Sequence, residues 1–447
     1  MGREKNHRAW VVTVDMGYGH QRATFPLRRL ARQAVINANS YDGIPGGDRK
    51  TWETSRHFYE FISRFTRLPI IGQPVFDLYD RFQAIPDFYP KRDLSEPSLQ
   101  LREIIHLIKG KNWGKDLIER LNQSPRPLIT SFFVVAFMAE YFNYQGEIYC
   151  VICDADIARV WADLKTVSSR INYFAPCYRV VERLKLYGVR PERIFLTGFP
   201  LPKENLGGPA LNILKHDLSN RLVNLDPLGR YRRRYGQTVA KHLGIKHQHK
   251  KTDHPLTLSF AVGGAGAQRE LGGVIVSSLR KEILKKKIRI NLIAGTHAAV
   301  KKYFEETIKE NGLKAEAGQG IRILYSKSKT KYFLLFNRLM RQTDILWTKP
   351  SELTFYSALG IPIVMSPPIG SQEKFNKLWL KTIGAGISQN NPKYTSEWLF
   401  DWVESGWLAQ AAMRGFLEMP RLGTYNIEKI LAHKPEEMEE VRTVLQY

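Results

Sequence analysis

The chain has 447 residues, room for two ordinary domains of about 100 to 200 residues each. Hydrophobic residues make up 43% and charged residues 25%, which excludes a chain that is mostly disordered or collagen-like. Lys and Arg total 67 against 43 Asp and Glu, and the formal net charge of +24 points to anionic partners: nucleic acid, anionic lipid headgroups or phosphorylated small molecules.

Short β-branched runs alternate with longer amphipathic stretches, the signature of parallel sheets covered by helices. In the first half Trp10 to Val14 reads as a strand, Arg22 to Ile36 as a helix, Pro127 to Thr130 and Ile148 to Cys153 as strands, Val180 to Tyr187 as a helix and Ile194 to Thr197 as a closing strand. A second series begins after Pro255, with strands at 256–262, 288–294, 321–325, 345–347 and 361–365 and helices at 268–284, 298–311, 334–341 and 353–359. Between the two, residues 203–254 carry Gly, Pro and Asn clusters and the run Tyr231-Arg232-Arg233-Arg234-Tyr235, which reads as linker plus insertion. Its histidines, His242, His247, His249 and His254, read as a solvated loop rather than a metal site. The expected domains are therefore 1–202, with an aromatic and basic helical segment at 50–95, then the linker 203–254, a second αβ domain at 255–395, and helices at 396–447 able to pack back on the first domain.

Cys150, Cys153 and Cys177 are too few for a disulfide framework. Cys150 and Cys153 lie in an apolar run without further ligands nearby, so they read as buried strand cysteines and no metal site is expected. No apolar segment approaches the roughly 18 to 20 residues that span a bilayer. Met1 to Asn6 lacks a signal-peptide core, and Asn6 stands where myristoylation wants Ser or Thr. The expected location is cytoplasmic, or peripheral on the cytoplasmic face of a membrane.

Three loops carry chemistry. After the first strand comes Gly17-Tyr18-Gly19-His20, where glycines let backbone N–H groups approach a ligand at a helix N-terminus. His20 is there either as a general base in a crevice at the strand's carboxyl end or as a helix-capping histidine. After the strand at 256–262 comes Gly263-Gly264-Ala265-Gly266-Ala267-Gln268, a phosphate-cradling shape. It is neither the dinucleotide fingerprint, since no acid ends the next strand, which runs into Gly295-Thr296-His297, nor a P-loop, since Gly-Lys-Ser/Thr is missing. The third constellation is Thr348-Lys349-Pro350-Ser351-Glu352-Leu353, then Ala358-Leu359-Gly360-Ile361-Pro362, then Gly370-Ser371-Gln372-Glu373.

This third region resembles the donor site of family 28 glycosyltransferases, the group holding monogalactosyldiacylglycerol synthase and the lipid-linked peptidoglycan N-acetylglucosaminyltransferase. Cys153-Asp154, Ala175-Pro176, Val189-x-Pro191-Glu192-Arg193-Ile194 and Thr197-Gly198-Phe199-Pro200 resemble the run that ends the family's first domain, and the likeness covers roughly 8–35 and 125–395. It implies an α/β GT-B fold: two Rossmann-like domains facing a central cleft. It further implies an inverting, metal-independent transfer from a nucleotide sugar, a UDP-sugar, to a lipid or lipid-linked acceptor. By the resemblance His20 is the general base, with Gly17, Tyr18, Gly19 and Asp154 on the acceptor side. Gly263, Gly264, Ala265, Gly266 and Ala267 hold the donor diphosphate, Lys349 lies near the phosphates, and Gln372 with Glu373 contact sugar hydroxyls. Thr296, Ser351 and Glu352 complete the donor loops. The nucleotide sugar is a substrate, and no cofactor is implied. The chain departs from the family at Phe355, where a Glu usually holds the ribose.

Segment 52–92 interleaves Trp52, Phe58, Tyr59, Phe61, Phe65, Phe76, Tyr79, Phe82, Phe88 and Tyr89 with Arg56, Arg64, Arg67, Arg81, Lys91 and Arg92. It reads equally as an interface to an anionic membrane or as a helical subdomain with aromatic packing inside. No RNA-binding signature accompanies it, so nucleic acid is not an expected partner. Two rival functions share the fold: a nucleotide-sugar epimerase or hydrolase, and a noncatalytic module that binds nucleotide sugar or lipid.

Overall fold

The computed structural model describes residues 8–65, 85–244, 251–263, 266, 268–368 and 370–432, with backbone alone at 56–65. Gly264, Ala265, Ala267, His247, His249 and most of the aromatic and basic residues at 56–84 thus lie outside the described side chains. The chain divides into two compact units, Met1–Leu201 with Ile369–Phe375 and Leu422–Tyr447, and Pro202–Pro368 with Asn376–Arg421.

The first unit holds a six-stranded sheet, β1 (Trp10–Thr13), β2 (Ile36–Asn37), β3 (Leu128–Thr130), β4 (Ile148–Val151), β5 (Ile171–Ala175) and β6 (Ile194–Leu196), in the order β2-β1-β3-β4-β5-β6. All its pairings are parallel, for example Val11 with Ile129 and Tyr149 with Asn172. Val11, Val12, Leu128, Ile129 and Ile148 are fully buried, as strands covered on both faces by helices require. The expected helix from Arg22 to Ile36 is not there. A seven-residue helix, Tyr18–Thr24, passes into a 3₁₀ turn at Phe25–Arg29, and Ile36–Asn37 pairs with β1 as an edge strand. Pro26 explains the break, because it lacks the N–H that would bond back to Arg22 and its ring crowds that carbonyl.

The second unit holds β7 (Thr257–Ala261), β8 (Arg289–Gly295), β9 (Ile321–Tyr325), β10 (Ile345–Thr348), β11 (Ile363–Met365) and β12 (Gly386–Ser388), ordered β12-β11-β10-β7-β8-β9 and again wholly parallel. Counted from β7, this is the 3-2-1-4-5-6 order of a Rossmann sheet, with its reversal between β7 and β10. In the first unit the reversal falls between β1 and β3.

The described part of the stretch expected as linker plus insertion is helical: Lys203–Leu206, Asn212–Leu225 and Arg230–Leu243 group with the second unit. The middle helix blurs a periodicity reading because its buried face mixes Leu214, Leu218 and Leu225 with the buried polar residues Asp217, Ser219, Asn220 and Arg221. The Arg221 guanidinium donates to the carbonyls of Thr343 (2.7 Å), Leu359 (2.8 Å), Gly360 (3.2 Å) and Met340 (3.3 Å), closing the carboxyl ends of the helices Lys329–Arg341 and Glu352–Leu359.

His254 is likewise buried, only 7% exposed, rather than in a solvated loop. Its ring lies 2.5 Å from Asp253 Oδ1 and 3.2 Å from Asp344 Oδ1, and Asp344 also accepts from the Thr257 N–H (2.8 Å) and Asn224 Nδ2 (2.9 Å). Burial pulls the imidazolium pKa down, but the carboxylates of Asp344 and Asp253 outweigh it and leave the pKa raised. A raised folded pKa contributes stability that is fully present below the unfolded value of about 6.5 and is lost as pH climbs through the folded one. The difference in thermal midpoint between the wild type and His254→Gln is therefore expected to be largest near pH 5 to 6 and to shrink toward alkaline pH. A gap that widens with pH in a denaturation series would refute the assignment.

The helices Thr395–Ser405 and Trp407–Glu418 complete the second unit, whereas Gly423–Ala432 belongs to the first. There Thr424 Oγ1 donates to the Leu201 carbonyl at 2.5 Å and Asn426 Nδ2 to that of Thr197 at 2.8 Å.

Candidate functional site

Open parallel sheets bind ligands outside the carboxyl ends of their strands, where the strand order reverses. In the first unit that point is occupied by His20. Gly17, at φ +110°, makes the turn out of β1 in a conformation side chains disfavour, and the helix it starts carries Tyr18, Gly19 and His20 in its first turn. The loop is tied to the end of β2, since the Asp15 N–H donates to Asn39 Oδ1 (3.0 Å) and Asn39 Nδ2 to the Asp15 carbonyl (3.3 Å).

His20 Nδ1 lies 2.7 Å from the backbone carbonyl of Ser131, just past β3. A carbonyl only accepts, so Nδ1 carries the proton and Nε2 is the basic nitrogen of the neutral ring. Cys153, just past β4, places Sγ 3.7 Å from the same Nδ1 and 3.8 Å from the Ser131 carbonyl. Phe132 meets the imidazole edge to face at 4.9 Å and Trp161 stands 6.3 Å away. Behind them Trp52 meets Trp113 edge to face at 4.6 Å and lies 6.1 Å from Phe132, which puts the start of the aromatic segment against the histidine's wall. Tyr18 is buried and Asp154 half-buried in the loop after β4.

Ser131, Phe132, Trp161 and Trp52 are the neighbours that sequence reasoning missed. The one available signal was that Ser131 and Phe132 directly follow a strand. Cys150 and Cys177 are fully buried or nearly so and have no part in the site. Burial pushes the Cys177 thiol up to about 12, where it is unreactive. Among the described residues no group of three His, Cys, Asp or Glu is placed to hold a metal ion.

In the second unit the reversal point lies between Gly263, after β7, and Lys349, after β10. A Cβ built on Gly263 would stand 2.9 Å from Lys349 Cε, so the absence of a side chain is what admits the lysine beside the loop. The Gly266 N–H donates to the Gly263 carbonyl at 2.8 Å, closing a turn with Gly266 at φ +71°, where a Cβ would press on Val300 and approach His297. Gln268 receives a hydrogen bond from Ser366 Oγ (2.8 Å) and donates to the Pro367 carbonyl (3.1 Å), so the loop after β7 is fastened to the loop after β11. Thr296 follows β8, and its neighbour His297 precedes the helix Ala298–Glu310. After β10 the Ser351 N–H donates to the Lys349 carbonyl (2.8 Å), and Asn376 Nδ2 holds the Pro350 carbonyl (3.2 Å). Glu352 opens the 3₁₀ helix Glu352–Leu359 and is 9% exposed.

Gly263, Gly266, Thr296, Lys349, Ser351 and Glu352 thus share one edge of the second sheet. Gln372 and Glu373 sit in the first turn of the helix Ser371–Thr382, on the stretch that groups with the first unit. Phe355 is 1% exposed and packs on Trp379 with ring centres 5.2 Å apart, in the core of the second unit.

Residues 237–318 and 308–400 match the model of a domain of unknown function, DUF6938. The processive diacylglycerol beta-glucosyltransferase of Bacillus subtilis (strain 168) is 22% identical over 397 residues, covering 86% of this chain and 84% of that protein. Among solved structures, a putative UDP-N-acetylglucosamine 2-epimerase from Listeria monocytogenes is similar over 82% of this chain and 86% of its own, at 12% identity and a TM-score of 0.44. MurG of Acinetobacter baumannii is similar over 73% and 78%, at 13% identity and a TM-score of 0.41. Two Rossmann-like units, each with its loops gathered where the strand order reverses, define the GT-B class. Across most of its length the chain is similar, at 22% identity, to diacylglycerol glucosyltransferases.

Proposed function

We propose that the protein is a glycosyltransferase that moves a sugar from a UDP-sugar onto a lipid or lipid-linked acceptor at a membrane surface, with inversion at the anomeric carbon and without a metal ion. The observation that carries this reading is His20, whose Nδ1 is engaged by the Ser131 carbonyl so that Nε2 is the basic atom at the sheet's reversal point. In the proposed step Nε2 takes the acceptor hydroxyl's proton and the hydroxyl oxygen bonds to the anomeric carbon. The bond from that carbon to the phosphate oxygen breaks, and the nucleoside diphosphate leaves with the electron pair. Lys349 and the backbone N–H groups of the Gly263, Gly264, Ala265, Gly266 and Ala267 loop would balance the departing charge, with the start of the next helix adding its dipole. Thr296, Ser351 and Glu352 are assigned to the donor, as are Gln372 and Glu373 for the sugar hydroxyls. Gly17, Tyr18, Gly19 and Asp154 are assigned to the acceptor side. No cofactor is needed.

The test is a panel of labelled UDP-, GDP- and ADP-sugars offered with diacylglycerol vesicles. The expected product is a labelled glycolipid of inverted anomeric configuration, formed equally in EDTA. Sugar released or epimerised without any acceptor would replace this reading with the epimerase or hydrolase one. Nucleotide-dependent thermal stabilisation without turnover would replace it with a noncatalytic module, to which the buried Phe355 lends support.

A further inference from the structure

We infer that the helix Arg230–Leu243 of the second unit, with Leu228 and Trp407 beside it, is a docking surface for an anionic lipid bilayer. Four arginines, Arg230, Arg232, Arg233 and Arg234, are exposed in its first two turns, and among the described residues none has a carboxylate within ion-pair distance. The sequence holds no Asp or Glu from Pro227 to Thr252.

The arginines stand where they cost stability. A helix N-terminus carries the positive end of the dipole, and cations there are unfavourable. The compensation is local and meets only backbone groups: buried Asp226 accepts from the N–H groups of Tyr231 (3.0 Å) and Arg232 (2.9 Å), and Arg233 Nη1 donates to the Leu228 carbonyl (2.9 Å). The exposed guanidinium charge is left for an external anion.

Exposed apolar residues lie on and next to the same helix. Leu228 is 46% exposed, Tyr235 44% and Trp407 57%. Trp407 is held close, because its neighbour Gly406 packs on the first turn of the helix, with the Tyr231 backbone N only 3.2 Å from where a Gly406 side chain would begin. Cations flanked by exposed Trp, Tyr and Leu fit the headgroup layer, where charge meets anionic lipid and the rings lie at the level of the glycerol. A nucleic acid would satisfy the arginines and leave the leucine in water. The surface rests on the lipid-acceptor reading only for its purpose, and it lies on a different unit from His20.

The test is sedimentation of the full chain with phosphatidylcholine vesicles, with and without phosphatidylglycerol, at physiological ionic strength. Replacing the four arginines together (R230Q, R232Q, R233Q, R234Q) is expected to weaken binding to the anionic vesicles at least about tenfold. The control removes four exposed lysines of the same unit (K281Q, K285Q, K286Q, K287Q) and is expected to change binding less than about threefold, the screened share of general charge. The arginine variant should melt no lower than the wild type, since its helix loses a dipole conflict. W407A is expected to weaken vesicle binding with no change in net charge. Equal losses in the arginine and lysine variants, or tighter capture of single-stranded RNA than of anionic vesicles, would overturn the proposal. Vesicle binding through the arginines by a protein that transfers no sugar would sink the enzymatic reading and leave the surface. Transfer on vesicles undiminished in the arginine variant would do the opposite.

Discussion

Replacing His20 with glutamine is expected to lower kcat for sugar transfer by about a hundred- to ten-thousandfold, the range for loss of a positioned general base, while the donor KM moves only a few fold. Glutamine keeps a donor that reaches the Ser131 carbonyl, now bonded to His20 Nδ1 at 2.7 Å, so the loop should hold its place and only the proton acceptor is lost. The wall around the ring argues for a base of fixed aim. Phe132 meets it edge-on at 4.9 Å and Cys153 Sγ stands 3.7 Å from Nδ1, and together with the Ser131 carbonyl these contacts limit rotation of the imidazole. Steady-state kinetics with saturating donor and acceptor decide the matter. An unchanged kcat would remove His20 as the base, and a rise in KM alone would make it a binding residue.

The strands that carry the site are legible because parallel strands buried on both faces leave runs such as Trp10-Val11-Val12 and Leu256 to Val262. The loops are legible because Gly17 and Gly266 need positive φ and Gly263 needs to be small beside Lys349. The strand at Ile171–Ala175 is harder to see, since Asn172 interrupts the apolar run. In the sheet Asn172 is buried, with Nδ2 donating to the Ile148 carbonyl at 3.3 Å. The same difficulty hides the helix Asn212–Leu225, whose Arg221 is fully buried by bonding to four carbonyls rather than by being apolar. His254 looks solvated among lysines and histidines because its two carboxylate partners are so unequally spaced, Asp253 adjacent and Asp344 ninety residues away. Polar groups satisfied at long range are what a pattern of hydrophobicity cannot show. The pairing of His20 with Ser131, 111 residues apart, belongs to the same class.

That limit bears most on the loop after β4, which carries Asp154 and is anchored two residues later by Asp156. Asp156 is 2% exposed, and its carboxylate receives Arg183 Nε at 2.8 Å, Arg183 Nη2 at 3.0 Å and Arg179 Nε at 2.9 Å, while the Ile157 N–H donates to Oδ1 at 3.0 Å. Arg179 and Arg183 also lie over the Phe88 ring, at 3.6 and 5.1 Å. Removing the carboxylate would affect the two arginines differently. Arg179 keeps a side chain 29% exposed and can turn to water, whereas the Arg183 side chain is 0% exposed and stays buried with its charge uncompensated. Breaking one side of a buried ion pair costs about 3–5 kcal/mol, so Asp156→Ala is expected to destabilise the first unit by that amount and to lower its thermal midpoint by roughly ten degrees. Replacing the pair together, Asp156→Leu with Arg183→Met, should recover much of the loss, because hydrophobic residues of similar volume remove the stranded charge as well as the bond. A double variant no more stable than Asp156→Ala would mean that the carboxylate stabilises the loop through the Ile157 N–H rather than through the arginines. Urea unfolding of both variants, followed by a probe confined to the first unit, separates the two.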